Sequence, residues 1–366
     1  MGAVTPAAAG LPVDEPAPVR AEDAFDVSAA HRWLVEHVAA LPVEAPPQVL
    51  QFPGGASNLT YLLHYPGRDL VLRRPPPGHK AASAHDMGRE FRVQRQLAGR
   101  FPYVPDVLAL CEDPTVIGSP FYVMTRLEGI ILHHDLPPGL SLDPAAAGAL
   151  ARRALDCLVE LHQVDAVAAG LGDLGRGPGY VARQVAGWTA RYQRARTPDV
   201  PSFDQVAAWL DRSQPPDVAM CLIHNDFRLD NLVLDASLEV VGVLDWEMAT
   251  VGDPMMELGA VLSYWVQADD DEVLRRFKLQ PSDAPGMPTR AQVAAYYCER
   301  SGRSVDDWTF YEVFGLFRLA GIMQQIYYRY FHGQTTNPAF ADYATLVTYL
   351  ETRCRAVAGL TAGLGA

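Results

Sequence analysis

Apolar positions along this chain alternate in its first third and then take up a helical period. VLQFPGG, ASNLTYLLHY and DLVLRR read as strands joined by Gly-containing turns, with two more at Val107–Cys111 and Phe121–Arg126. A helix is predicted from Val27 to about Ala40, and another over AHDMGREFRVQRQLAGR with Met87 and Phe91 turned inward. After Gly129 the pattern becomes helical. Pro144–Asp165 carries Leu150, Ala154, Leu158 and Leu161 on one face, followed by helices over Tyr180–Ala195, Phe203–Ser213 and Glu257–Gln267. One more helix is expected behind Thr289, ending near Gly302, and a long one behind Ser304, whose spacing to Asp307 suits a capping box. Two short strands, LVLD and EVVGVLD, interrupt the helices. The expected class is α+β, with a small antiparallel-sheet lobe over residues 24–127 and a mostly helical lobe over 128–366. Residues 1–23, rich in Ala, Pro, Val and Glu, read as a disordered leader.

Composition narrows the function classes. The chain has 366 residues, 49% apolar and 20% charged, as in a soluble globular protein. No apolar run is long enough for a membrane span, and the N-terminus lacks a signal-peptide pattern, so the expected setting is the cytoplasm without a membrane partner. The five cysteines show no metal or disulfide spacing. A net charge of −13 argues against nucleic acid as a partner but leaves nucleotides open. Basic residues are almost all Arg; Lys80 and Lys278 are the lysines.

The candidate chemistry lies between Leu222 and Gly259. His224, Asp226 and Asn231 form His-x-Asp-x-x-x-x-Asn, and Asp245 ends a later apolar run. Phosphoryl transfer needs a carboxylate to orient the attacking hydroxyl and hard oxygen ligands to hold Mg²⁺ against the nucleotide phosphates. Asp226 fits the first role, Asn231 and Asp245 the second, in the order of the kinase signature, with Asp-Trp-Glu in place of Asp-Phe-Gly. Arg228, inside the same loop, is a candidate stabiliser of the transferring phosphoryl. His224 reads as a brace for the loop. Glu247 reads as a second-metal ligand or as support for Asp245.

With those residues in view, the chain resembles the aminoglycoside phosphotransferase-like family, a branch of the protein-kinase-like bilobal fold that phosphorylates small molecules. Within it, the likeness is to kinase-like domains fused to some acyl-CoA dehydrogenases and to their free-standing bacterial relatives. QFPGGASNLTYLL, VLRRPPPG, AHDMGREFRV, FYVMTRLEG, HNDFRLDN, LDWEMATVGDP and YEVFGLFRLAG carry it, from about Gln51 to about Tyr330. The resemblance implies ATP as co-substrate and Mg²⁺ as cofactor. It places Gly54, Gly55, Ser57 and Asn58 over the nucleotide phosphates, a stretch that also suits a plain hairpin. The usual strand lysine is missing, since Lys80 falls beyond three prolines. Arg73 takes its place, paired with Glu90, while alternation puts Arg74 on the other face of the strand. Backbone groups of Thr125 and Leu127 would meet adenine at the hinge. Asp253 belongs to a Gly-Asp-Pro signature that also reads as a turn held by the Asp side chain.

The expected activity is transfer of the γ-phosphate to a hydroxyl of a small molecule, with a hydroxyacyl-CoA as one candidate acceptor. An aminoglycoside acceptor and a catalytically dead nucleotide-binding module are the alternatives; the intact Asp226, Asn231 and Asp245 weigh against the latter. A protein kinase is disfavoured because no Ala-Pro-Glu segment follows Asp245. Arg318 and Arg329 among aromatics favour an anionic, partly apolar acceptor, whereas the run Asp269–Glu272, read as a solvated helix start, would be the feature to suit a polycation.

Overall fold

The computed structural model describes residues 15–52, 58–76 and 86–360. Its alternating stretches form one six-stranded sheet: β1 (Ala17–Pro18), β2 (Gln48–Gln51), β3 (Leu59–Tyr65), β4 (Arg68–Arg74), β5 (Val107–Cys111) and β6 (Phe121–Thr125). The order is β1-β2-β3-β4-β6-β5 and every neighbouring pair is antiparallel. Strand alternation sends Leu70 and Leu72 to one face, where Ala30 and Leu34 of α1 (Val27–His37) cover them. Val71 goes to the other face, with Tyr122, Met124 and, from α2 (Met87–Leu97), Met87 and Phe91. Asp26 and Asp86 cap these two helices by accepting the amides of Ala29 and Arg89.

The expected leader is not structureless from residue 17 on. Ala17 and Pro18 pair with Gln51 and Leu50, and the buried Asp23 accepts from Arg20 Nε at 2.7 Å and Gln51 Nε2 at 2.8 Å. Nothing periodic marks this segment; its order comes from partners distant in sequence.

The second lobe is built from α3 (Pro144–Gln163), α4 (Tyr180–Ala195), α5 (Asp204–Ser213), α6 (Pro254–Tyr264), α7 (Glu272–Arg276), α8 (Arg290–Ser301), α9 (Thr309–Phe331) and α10 (Tyr343–Val357). Two small ribbons cross it: β7 (Cys221–Ile223) pairs with β10 (Thr250–Gly252), and β8 (Leu232–Leu234) with β9 (Val240–Val243). Thr289 and Gln292 form a capping box at α8, which ends at Gly302 with φ 66°. The box expected at Ser304 does not form. Asp307 Oδ1 instead accepts the Thr309 amide at 2.8 Å, and α9 starts there. Helices α6 and α9 touch through glycines: a Cβ on Gly315 would lie 2.1 Å from the Gly259 carbonyl oxygen. Among the described residues, no helix is long and apolar enough to cross a membrane.

The acidic run differs from the expectation of a solvated helix start. Asp271 does cap α7, but Asp270 is buried, with its carboxylate on Arg290 at 2.6 and 2.8 Å and on Arg353 at 3.3 Å.

Candidate active site

Two lobes meet at Arg73. The side chain sits on the α2 face of β4, with Nη1 3.3 Å from Glu90 Oε1 and Nη2 2.9 Å from Asp245 Oδ1. Glu90 is 1% exposed, and neither of its carboxylate oxygens makes a hydrogen bond of good geometry among the described residues. Burial therefore pushes its carboxyl above the usual glutamate range, against the pull of the Arg73 charge. Arg74, on the opposite face, is buried in structural contacts. Its guanidinium donates to Tyr61 Oη at 3.1 Å and to the carbonyls of Asp23 and Ile117 at 2.5 and 3.4 Å, and lies over the Phe25 and Tyr61 rings.

Asp245 follows β9 in the left-handed region, φ 67°. That turn brings its carboxylate toward Arg73 while Trp246 goes into the core. Asn58 Nδ2 donates to Glu247 Oε2 at 3.0 Å, so the end of the expected phosphate turn reaches the segment after Asp245. Gly54, Gly55 and Ser57, like Lys80, lie outside the described residues. Arg89 of α2 donates to the carbonyls of Glu247 and Ala249, tying that helix to the same segment.

The loop after β7 holds the other candidates. Asn231 Nδ2 donates to the Asp226 carbonyl at 2.8 Å and to Asp226 Oδ2 at 3.2 Å. Its amide oxygen therefore faces away from Asp226, and among the described residues nothing donates to it. Arg228 Nη2 is 3.3 Å from Asp226 Oδ2 and Nε is 3.1 Å from Asp230 Oδ1, with the guanidinium over the Tyr264 ring. Burial raises the Asp230 carboxyl above its ordinary range despite Arg228. His224, fully buried, makes a 2.9 Å contact from Nε2 to the Leu244 carbonyl and accepts the Asp226 amide on Nδ1 at 3.3 Å. It links the loop to the strand that carries Asp245.

Glu257 carried no sequence signal, and the place of Arg318 beside the catalytic loop carried none. Glu257 of α6 accepts the backbone amides of His224 and Asn225 and receives His162 Nε2 at 2.6 Å. Arg318 of α9 is not presented to solvent. It is 4% exposed and donates to the Asn225 carbonyl at 2.6 Å, whereas Arg329 is exposed near the end of that helix. Asn225, at φ 69°, is thus held at both ends, directly before Asp226. Helical periodicity shows which face is apolar, not which charged residue on it turns toward a loop some hundred residues away in sequence.

At the hinge, the Thr125 amide is taken by the Asp106 carbonyl at 2.9 Å, which removes it as a donor to a base. Leu127 packs on β9 where Gly242 leaves room; a Cβ there would sit 2.2 Å from its Cδ1. Asp253 caps α6 through Oδ1, accepting Met255 and Met256 amides at 2.8 and 3.0 Å, and Oδ2 receives the Val218 amide at 2.5 Å. Its contacts are those of a buried turn clamp. Among the described residues, no cluster of three or more His, Cys, Asp or Glu side chains is set to cage a metal alone.

Comparison with known proteins identifies the family and the fold. The model of the "Phosphotransferase enzyme family" matches residues 48–296. "Acyl-CoA dehydrogenase family member 10" of Mus musculus is 37% identical over 330 residues, 89% of this chain and 30% of that protein. "Acyl-CoA dehydrogenase family member 11" of Rattus norvegicus is 35% identical over 321 residues, 86% of this chain and 41% of that protein. The chain thus spans less than half the length of these curated relatives. A provisionally assigned aminoglycoside phosphotransferase from Ralstonia eutropha JMP134 superposes with a TM-score of 0.78 at 33% identity, covering 92% of this chain and 99% of the other. A ternary complex of the aminoglycoside phosphotransferase APH(4)-Ia with ADP and hygromycin B, at 18% identity and a TM-score of 0.59 over 92% and 99% of the two chains, shares the fold.

Proposed function

Because the chain belongs to the phosphotransferase enzyme family, whose protein-kinase-like fold it has, we propose that it transfers the γ-phosphoryl group of ATP to a hydroxyl of a small molecule. One observation carries the reading. Arg73 bridges Glu90 and Asp245 across the lobes, while Asn231, anchored on Asp226, turns its amide oxygen outward. A lone turn rich in Asp and Asn would not need that convergence.

Asp226 orients the acceptor hydroxyl and takes its proton as the phosphorus–oxygen bond to the acceptor forms and the bond to ADP breaks. Arg228 keeps positive charge beside that carboxylate, where the transferring group gathers negative charge. Arg73, braced by Glu90, contacts the phosphates that are not transferred. The Asp245 carboxylate and the Asn231 amide oxygen are the hard oxygen donors that would hold Mg²⁺, an ion that does not require an all-protein cage. Mg²⁺ held there would supply positive charge to offset that of the nucleotide phosphates. Asn58, which ends the expected phosphate turn, lies at the phosphates, and Leu127 backbone groups meet the base.

The acceptor we favour is a hydroxylated acyl-CoA or related carboxylic metabolite. Relatives named for acyl-CoA dehydrogenases support it by analogy. The feature that would suit a polycationic aminoglycoside is weakened, because Asp270 is already taken by Arg290 and Arg353. The test is Asp226→Asn assayed with ATP, Mg²⁺ and a panel of hydroxyacyl-CoAs and aminoglycosides. Turnover is expected to fall by roughly two to four orders of magnitude with little change in nucleotide affinity. Near-normal turnover removes Asp226 as the base.

A further inference from the structure

Two guanidiniums share the Trp188 ring beside the loop that carries Asp226, and among the described residues no carboxylate pairs with either. Arg318 reaches up from α9, and only its Nη2 is used, on the Asn225 carbonyl at 2.6 Å. Nη1 is buried and has no hydrogen-bond partner among the described residues, in a side chain 4% exposed. Its guanidinium lies 5.4 Å from the centre of the Trp188 ring, and that of Arg191 lies 4.7 Å from the same ring. Gly321, one turn along α9 from Arg318, lets the indole lie close, since a Cβ there would meet Trp188 Cε3 at 3.0 Å. Among the described residues neither guanidinium has an ion pair with Asp or Glu. Two like charges on one indole repel each other, and burying a guanidinium nitrogen without an acceptor is unfavourable. Although the residue as a whole is exposed, partial desolvation of its guanidinium and the neighbouring Arg194 and Arg318 charges hold Arg191 below its ordinary pKa, as expected of a cation lacking a counter-charge.

We propose that Arg318 Nη1 and the Arg191 guanidinium, both against the Trp188 ring, form a subsite for an anionic group of the acceptor, a carboxylate or a phosphate. A planar guanidinium with free donors suits either oxyanion. Arg318 is bonded to the residue directly before Asp226, so an acceptor whose anion is held here would carry its hydroxyl toward the base. The role in phosphoryl transfer rests on the proposed function above; the anion subsite itself does not.

Binding is therefore measured apart from turnover. Calorimetric titrations without nucleotide compare a hydroxyhexanoate, its neutral amide and a hydroxyhexyl phosphate, on the full chain and on Arg191→Gln and Arg318→Gln. Arg191 is exposed, so its variant folds even if loss of Arg318 disturbs the loop. At least one anion is expected to bind roughly tenfold or more tighter than the amide, as charged hydrogen bonds allow, and Arg191→Gln should erase most of that margin. The arm that wins distinguishes carboxylate from phosphate. Equal binding of acid, phosphate and amide, no binding by any of them at millimolar concentration, or an unchanged margin in Arg191→Gln overturns the subsite. If the margin is present and lost in the variant while no panel member is phosphorylated, the subsite stands and the phosphotransferase reading is what fails.

Discussion

Removing Arg73 should expose how Glu90 is kept charged. The carboxylate is 1% exposed and lacks good hydrogen bonds among the described residues, so the guanidinium 3.3 Å away is its main compensation. In Arg73→Met, Glu90 is left unpaired, and its cheapest escape is to take up a proton. That limits the stability loss to about 4 kcal/mol near neutral pH, the free energy of protonating an ordinary glutamate there. The sign follows from linkage. A glutamate whose folded pKa lies above its unfolded value contributes stability that is complete below the unfolded pKa and is lost as pH rises through the folded one. The deficit of Arg73→Met relative to the parent should therefore shrink on acidification, by up to about 1.4 kcal/mol per pH unit over the range in which Glu90 is protonated in the folded variant and ionised in the folded parent. Urea unfolding at neutral pH and between one and two units lower measures this. Adding Glu90→Gln should restore most of the stability and abolish the pH dependence, because a neutral pair of similar volume leaves no buried charge. A deficit independent of pH, or no rescue by Glu90→Gln, refutes the reasoning.

Three other variants probe the remaining contacts. Arg74→Met removes the donors to Asp23, Tyr61 and Ile117, so it should destabilise by about 3 kcal/mol or more in thermal unfolding, while the Michaelis constant for ATP stays near that of the parent below the transition. Arg73→Met should instead raise that constant. Asp245→Ala should lose Mg²⁺-dependent ATP binding in calorimetry; binding equal to the parent would place the metal elsewhere. Gly315→Ala puts a methyl against the Gly259 carbonyl and should cost roughly 1–3 kcal/mol in unfolding free energy, with unchanged stability disproving the close crossing.

Strand alternation was enough to put Arg73 and Arg74 on opposite faces, because a period of two leaves no other choice once Leu70 and Leu72 are inward. Glu90 was implied by the resemblance, and its place one turn after Met87 and next to Phe91 agrees with its turning toward Arg73 of β4. The loop from His224 to Asn231 was legible as chemistry, since few structural roles need that combination. What escaped were contacts between distant segments. Glu257 and Arg318 hold Asn225 from two helices; Glu257 shows in the pattern as no more than a charged residue, and Arg318 stands out there as an anion-binding candidate without its contact to the loop. The start of α9 was misread because Ser304 and Asp307 satisfy the spacing of a cap while Asp307 spends its carboxylate on Thr309. β1 was missed because two residues show no period at all.

Helix α2 belongs to both hydrophobic cores. Met87 and Phe91 complete the core on one face of the sheet, whereas Val93 and Leu97 are continuous with that of the helical lobe. Arg89 and Arg92 of the same helix bind carbonyls at Glu247, Ala249 and Gly170 on the far side of the hinge. The boundary at Leu127 is therefore no place to divide the gene. A fragment ending there would carry Val93, Leu97 and Phe101 into water, and the complementary fragment would lose the surface that seats them. The molecule should consequently melt as one cooperative unit, with the two lobes unable to be expressed, swapped or evolved as independent pieces.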